Sequence, residues 1–211
     1  RGTDGRDITL DKYDSDRFIQ SLIVFNTQEP IGSIYQASFK KPSLSNPITK
    51  SEHPLVDIVS FCLNPNHYHL LLSPLVEGGV SKFMQKLGIG FTRYFNEKHG
   101  RNGVLFQGKF KARHIESDHD LIRMSAYINL NYKVHSLSNP ITKLVRSSWG
   151  EYTRGESGIC SKNIVLGQFN NSRSYQKEAQ KVVRDIVKER AKVDKSNDSK
   201  VKKKFYDCYF D

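Results

Sequence analysis

The stretch Asn64-Pro65-Asn66-His67-Tyr68-His69-Leu70-Leu71-Leu72 sets the organisation of this chain. Asn-Pro-Asn is a turn signal, and the run after it is short, apolar and free of Gly and Pro, which predicts a buried strand over 67–72. Side chains two apart on a strand point to the same face, with roughly 6–7 Å of rise between them. His67 and His69 are therefore expected to project side by side, where their imidazoles can bind one divalent metal ion. The alternative is a pair of structural histidines on a half-buried strand.

The composition favours a polyanionic partner. A formal net charge of +11 over 211 residues indicates nucleic acid ahead of a membrane surface, although a basic protein without such a partner has the same composition. There is no apolar run of about 18 residues, so no membrane span is predicted. Cys62, Cys160 and Cys208 are odd in number and far apart. This pattern fits a reducing cytoplasm and argues against a disulfide framework or a thiolate zinc site.

The elements around the histidine strand predict an α+β fold. An apolar strand over 55–63 is expected to pair antiparallel with the histidine strand across the Pro65-Asn66 turn. No βαβ rhythm is present, so we expect an antiparallel sheet with helices packed on one face. The other predicted elements are helices over about 16–25, 81–99 and 118–130, and a strand or bent extended segment over 104–115.

The pattern changes after about residue 135. A long helix is predicted from Ser172 or Ser174 to about Lys192. Residues 181–204 hold ten Lys and Arg against four Asp and Glu, so the chain from 193 to 211 is predicted to be a disordered basic tail. The octapeptide Ser-Leu-Ser-Asn-Pro-Ile-Thr-Lys occurs at 43–50 and again at 136–143, but no similarity surrounds the copies, and we do not interpret it as a domain repeat.

An ordered set of motifs resembles the single-tyrosine HUH transposases. These are the IS200-like transposases, and in particular the tyrosine transposases associated with repetitive extragenic palindromes (the REP-associated branch). The resemblance covers about residues 1–169. The motifs that carry it are Leu63 to Leu71, Ser81-Lys82-Phe83-Met84-Gln85, Tyr94-Phe95-Asn96, Leu105 to Lys111, Tyr127-Ile128-Asn129-Leu130-Asn131, and Ser147-Ser148-Trp149 with Tyr152.

The resemblance implies a ferredoxin-like core with a helical C-terminal extension. We expect the core over 1–135, the extension over 136–192 and the basic tail over 193–211. Arg1-Gly2 resembles the end of the segment that follows the family's first core strand, so that strand is expected to be missing from this chain. IS200-like relatives work as dimers that exchange the tyrosine helix, whereas the REP-associated branch is monomeric; the long extension favours a monomer, with a homodimer as the alternative.

The resemblance also implies a site. His67 and His69 would hold a metal ion, Asn131 matches the position of a third ligand, and Tyr127 matches the nucleophile. Tyr127 and Asn131 are spaced i,i+4, so they are expected to share a face near the end of one helix. The alternatives are a core tyrosine and an asparagine favoured at a helix C-terminus.

The chemistry of such a site is cleavage of a DNA phosphodiester. Two imidazoles and an amide oxygen leave coordination positions open and fit Mg²⁺ or Mn²⁺ better than structural zinc. A tyrosine hydroxyl, with a pKa near 10, needs activation before it can attack. The product would be a covalent phosphotyrosine that conserves the bond energy, so a strand transferase needs no ATP. The resemblance implies that the bond is to the 5′ phosphate.

The segment 105–113 alternates basic and aromatic residues and is the candidate DNA contact. Lys109, Lys111 and Arg113 are candidates for phosphates and Phe106 for base stacking, although Phe106 also fits a core position. The sequence thus predicts a cytoplasmic, nucleoid-associated transposase that acts on single-stranded or hairpin DNA. One alternative is a domesticated hairpin or single-strand binding protein without cleavage activity. Another is a ferredoxin-like RNA-binding module, but its aromatic strand motif is absent.

Overall fold

The computed structural model describes residues 1–31, 50–135, 137, 143–196 and 198–209, and almost all of both octapeptide copies lies outside these ranges. The strands are β1 (Val56–Leu63), β2 (Tyr68–Pro74) and β3 (Arg146–Ser147). The helices are α1 (Lys12–Val24), α2 (Gly79–Lys98), α3 (Asp118–Asn129), α4 (Asn131–Val134), α5 (Trp149–Thr153), α6 (Asn163–Leu166), α7 (Ser172–Lys195) and α8 (Ser199–Tyr209).

The described part of the chain forms a three-stranded antiparallel sheet in the order β2-β1-β3. Asn64 N donates to the His67 carbonyl (2.8 Å), which closes the turn between β1 and β2. The register places Cys62 opposite His69 and Leu63 opposite Tyr68. The predicted antiparallel pair and the α+β class are confirmed.

One face of the sheet is covered by α1 and α2. Phe18 of α1 packs edge-on against Phe91 of α2 with ring centroids 5.0 Å apart. Buried Asp14 joins the two helices, because its carboxylate accepts from Lys98 Nζ (2.7 Å) and Tyr94 Oη (3.1 Å). This arrangement agrees with a ferredoxin-like core whose two helices share a face.

The opposite face is covered by α3, and α7 packs on α3, an arrangement that the sequence did not predict. Val59, Cys62 and Leu71 of the sheet form a second buried cluster with residues of α3, α7 and the segments between them. The predicted C-terminal extension is helical, and it packs directly on the Tyr127 helix. Among the described residues no helix is both long and apolar enough to span a bilayer.

The 104–115 segment was predicted to be a strand or a bent extended segment, and the structure shows the second of these. It forms one bridge, between Phe106 and Gly2, and no strand. Gly108 (φ 76°) interrupts it in the left-handed region, which ends the extended run.

The tail from 193 onward was predicted to be disordered, but residues 199–209 form α8. Phe205 is buried in the same cluster as Val193 of α7. Burial of Phe205 therefore anchors a segment whose composition is that of a solvated chain.

Candidate metal centre and tyrosine site

Three histidines meet beside the start of β2. His67 lies directly before β2 and His69 within it, and their rings lie side by side with centroids 5.2 Å apart. His135, which follows α4, places its ring 4.8 Å from that of His67. One ligand nitrogen from each of the three lies within 4.8 Å of the others. All three side chains are half-buried, so the cluster borders solvent.

Asparagines hold His67 in one orientation. His67 Nδ1 lies 2.6 Å from Asn66 Oδ1, an oxygen that can only accept, so Nδ1 of the neutral ring carries the proton. His67 Nε2 is then the acceptor and receives a hydrogen bond from Asn64 Nδ2 (2.9 Å). Metal-binding histidines show the same pattern: an oxygen accepts from one ring nitrogen, and the other ring nitrogen presents its lone pair to the metal.

Asn131 lies within this network. Its Oδ1 accepts from Asn64 Nδ2 (2.5 Å) and lies 3.3 Å from His67 Nε2. Its Nδ2 is buried and makes no hydrogen bond within the part of the chain that the structure describes. A buried donor without a partner is costly, so this nitrogen is suited to an incoming acceptor such as a phosphate oxygen or water.

The cluster favours neutral imidazoles. Burial, with the neighbouring His135, lowers the pKa of His67 to about 4. Burial, with His67 and His135, lowers the pKa of His69 to about 3. Burial, with the cation Arg190, lowers the pKa of His135 to about 4. All three rings are therefore unprotonated at neutral pH, the state that binds a metal.

These donors fit a divalent cation. Three neutral imidazoles converge, one with its tautomer fixed, and an amide oxygen lies beside them. His67, His69 and His135, with Asn131 Oδ1 beside them, would hold a divalent cation, which would supply positive charge for a substrate phosphate. The geometry thus agrees with the predicted pairing of His67 and His69 and adds His135.

Tyr127 lies next to this cluster. Its ring centroid is 5.4 Å from that of His69, in an edge-on arrangement. The α3 helix ends two residues later, and Leu130 separates it from α4, so Asn131 begins a new helix one turn after Tyr127. Tyr127 is nevertheless fully buried (0% exposed), as is Asn131. The predicted nucleophile is therefore close to the histidines but covered in this conformation.

A buried polar network fixes the helix that carries Tyr127. Ser148 Oγ donates to Asn129 Oδ1 of α3 (2.5 Å) and accepts from Phe61 N of β1 (2.9 Å). Asn129 Nδ2 donates to Tyr175 Oη of α7 (2.9 Å). Asn129 and Ser148 both belong to motifs that resemble the transposases. The extension thus positions the tyrosine helix against the central strand.

The predicted DNA contacts lie elsewhere. Phe106 packs on Tyr68 (centroids 5.6 Å apart), whose side chain points to the face of β2 opposite the histidines, as predicted. Phe106 and Lys109 line a groove beside α2. Arg113 pairs at 3.8 Å with Asp120 in the first turn of α3, and Lys111 is exposed.

Sequence reasoning missed His135 and the roles of Asn64 and Asn66. His135 follows Asn131 by four residues and Tyr127 by eight, so helical spacing alone was a signal for it. Asn64 and Asn66 were interpreted only as turn residues, because no local pattern shows that Asn64 reaches a residue 67 positions later.

A comparison of the chain with models of known protein families gives a match. Residues 39–131 match the model of the family described as "Transposase IS200 like". The match covers less than half of the chain but includes His67, His69, Tyr127 and Asn131, whereas His135 lies outside it. It supports placing the chain among the IS200-like transposases, which implies a DNA partner and strand-transferase activity in general. No significant match was found among curated proteins or among solved structures.

Proposed function

We propose that this protein is a metal-dependent, single-tyrosine DNA strand transferase of the REP-associated branch, which acts on single-stranded or hairpin DNA in the nucleoid. The observation that carries the proposal is the position of Tyr127, edge-on to His69 in a cluster of three neutral histidines. The buried contacts of α7 with the protein's own tyrosine helix favour a monomer, because they hold α3 on its own sheet.

His67, His69 and His135 would hold the metal, with Asn131 Oδ1 beside it. Bound Mg²⁺ or Mn²⁺ would neutralise the charge of the scissile phosphate and of the oxygens around it. Asn66 holds His67 in the tautomer that presents Nε2 to the centre. Asn131 Nδ2 would donate to the substrate, which satisfies a buried group that has no hydrogen-bond partner among the described residues.

Tyr127 would act as the nucleophile. Its Oη forms a bond to phosphorus as the phosphorus–O3′ bond breaks. In net, the proton that the phenol gives up is gained by the 3′ oxygen, which leaves as a free hydroxyl. The DNA remains attached through its 5′ phosphate, and a second 3′ hydroxyl can reverse the reaction at a new junction. Because Tyr127 is buried, its side chain must become accessible when DNA binds.

The burial of Tyr127 also favours the second candidate function, a hairpin or single-strand binding protein without cleavage activity. Both functions require DNA binding, and they differ in whether a covalent adduct forms. The deciding experiment incubates the protein with a hairpin oligonucleotide and Mn²⁺ and then separates the products on a denaturing gel. A labelled band that migrates with the protein supports the transferase; stable binding without such a band supports the binding protein.

Binding of single-stranded or hairpin DNA is expected to exceed that of a blunt duplex and to weaken with salt. The charge of +11 implies release of counterions, with a log–log slope of roughly −0.7 per neutralised phosphate for single strands. Fluorescence anisotropy over a series of salt concentrations measures both quantities. Equal affinity for the two forms of DNA, or an affinity independent of salt, contradicts the proposal.

His135→Ala is expected to weaken Mn²⁺ binding by about tenfold or more, because it removes a metal ligand. Removing a ligand costs more metal affinity than removing a residue that only orients a ligand. Three imidazoles also favour Mn²⁺ over Mg²⁺. Calorimetry with each metal tests both points. His119→Ala, which changes an exposed histidine of α3, is the matched control and should leave the affinity unchanged. Unaltered Mn²⁺ binding by His135→Ala would remove it from the site and leave Asn131 as the third ligand.

A further inference from the structure

A large open groove of about 1320 Å³ runs along α2 on the face of the sheet away from the histidines. The outer side of α2 forms one wall, and the loop from Gly100 to Phe110 forms the other. Three of its apolar side chains are unusually exposed: Ile89 (50%), Val104 (71%) and Phe110 (42%). Such residues on a basic protein mark a surface with a binding role.

The two glycines in the middle of α2 have different explanations. A Cβ at Gly90 would lie 2.1 Å from the ring of Phe25, so packing against α1 requires glycine there. Among the described residues a Cβ at Gly88 would meet nothing within 4 Å, yet glycine weakens a helix interior relative to alanine. Packing within the described part of the chain therefore does not require Gly88, which lines the groove and leaves the helix backbone open to a ligand.

The charges of the groove fit a polyanion. Among the described residues that line it, Arg1, Arg93, Arg101 and Lys109 are cationic and Glu97 is acidic. Arg101 stacks on Phe95 with its guanidinium carbon 5.4 Å from the ring centroid, and its Nη1 is buried without a hydrogen-bond partner among the described residues. Cationic groups together with exposed apolar side chains are the combination that binds unpaired bases and their phosphates.

The groove adjoins the candidate centre. Gly2 N donates to the Asn66 carbonyl (2.8 Å), which places Arg1 at the groove beside the residue that orients His67. Tyr68, between the two histidine ligands in sequence, contributes to the groove from the other face of β2. A strand bound in the groove can therefore continue around the start of β2 toward the histidines.

We propose that the groove along Gly88 binds the unpaired, single-stranded flank of the DNA substrate, with its bases against α2 and its phosphates toward Arg93, Arg101 and Lys109. This inference rests on the proposed function, since it assigns a second contact to the same DNA. The groove would recognise unpaired bases on one face of β2, and Tyr127 would carry out the chemistry on the opposite face.

The test uses Gly88→Leu, which places a bulky side chain in the groove, and two labelled probes, a hairpin with a single-stranded flank and the same hairpin with a blunt end. Affinity for the flanked hairpin is expected to fall about tenfold, roughly the contribution of one stacked base, while affinity for the blunt hairpin stays within about twofold. Ser81→Leu adds the same side chain at an exposed position of α2 outside the groove and should change neither affinity. Gly88→Ala should raise Tm by about 2–4 °C, because alanine favours the helix.

The outcomes separate the two proposals. If the wild-type protein binds the flanked hairpin better than the blunt one and Gly88→Leu keeps that preference, the groove is not the site of the flank and the proposed function stands. An equal loss on both probes, or a Tm that falls in Gly88→Ala, also overturns the groove assignment. A wild-type protein that binds neither probe overturns the proposed function together with this inference.

Discussion

Replacing Tyr127 by phenylalanine is expected to abolish the covalent protein–DNA adduct. The change removes the attacking oxygen and keeps the ring, whose edge-on contact with His69 is 5.4 Å between centroids. Loss of a nucleophile that acts together with its site costs about a thousandfold or more in rate. Adduct formation with a hairpin oligonucleotide and Mn²⁺ measures the effect, and mass spectrometry of the wild-type adduct should place the oligonucleotide on the peptide that carries Tyr127.

Tyr132→Phe is the matched control, because Tyr132 lies on the adjacent helix α4 and is only half-buried. It should form the adduct at the wild-type rate. Tyr127→Phe should also keep its metal and DNA affinity, since neither depends on the phenolic oxygen. Undiminished cleavage by Tyr127→Phe, or an adduct mapped to Tyr94 or Tyr132, would contradict the assignment of the nucleophile.

The second large effect is expected from His67→Ala and His69→Ala. Each variant removes one of three converging imidazoles, so Mn²⁺ binding and cleavage should fall by at least about a hundredfold. DNA affinity should stay within a few-fold of the wild type, because most of it arises from Lys and Arg contacts to phosphates spread over the surface. Calorimetry with Mn²⁺, the adduct gel and fluorescence anisotropy measure the three quantities on the same preparations.

His53→Ala is the control for these variants, since His53 is exposed in the connection before β1. It should match the wild type in all three measurements. Cleavage at the wild-type rate by both His67→Ala and His69→Ala would show that the histidine pair is structural. A parallel loss of DNA affinity and of thermal stability would indicate that the substitutions act through the fold instead.

The architecture of the sheet was predictable because its signals are local. Short apolar runs and turn chemistry predicted β1, β2 and the Asn64-to-His67 turn, and the register observed confirms the antiparallel pair. For the 104–115 segment the sequence left a strand and a bent extended segment open. Its extended residues hydrogen-bond to the first residues of the chain, as in Thr3 N to the Leu105 carbonyl (3.0 Å), and Gly108, with its positive φ, ends the run.

The helix in the C-terminal tail was not predicted from the sequence, for a different reason. Composition alone predicted a disordered tail, because charged residues outnumber apolar residues after residue 193. Phe205 is nevertheless buried at 6% exposure against the cluster on the second face of the sheet. The burial of Phe205 depends on where the rest of the chain places an apolar surface, and the tail sequence does not contain that information.

The sequence by itself determined the side-by-side pair His67 and His69, because a strand places alternate residues on one face whatever surrounds it. It also determined the separation of Tyr127 and Asn131 by one helical turn. Only the tertiary structure decided that His135 joins the pair, that Asn64 bonds to Asn131, and that Tyr127 is buried. These are contacts between segments about 60 residues or more apart, and they depend on how α3, α4 and α7 pack on the sheet, which local periodicity does not specify.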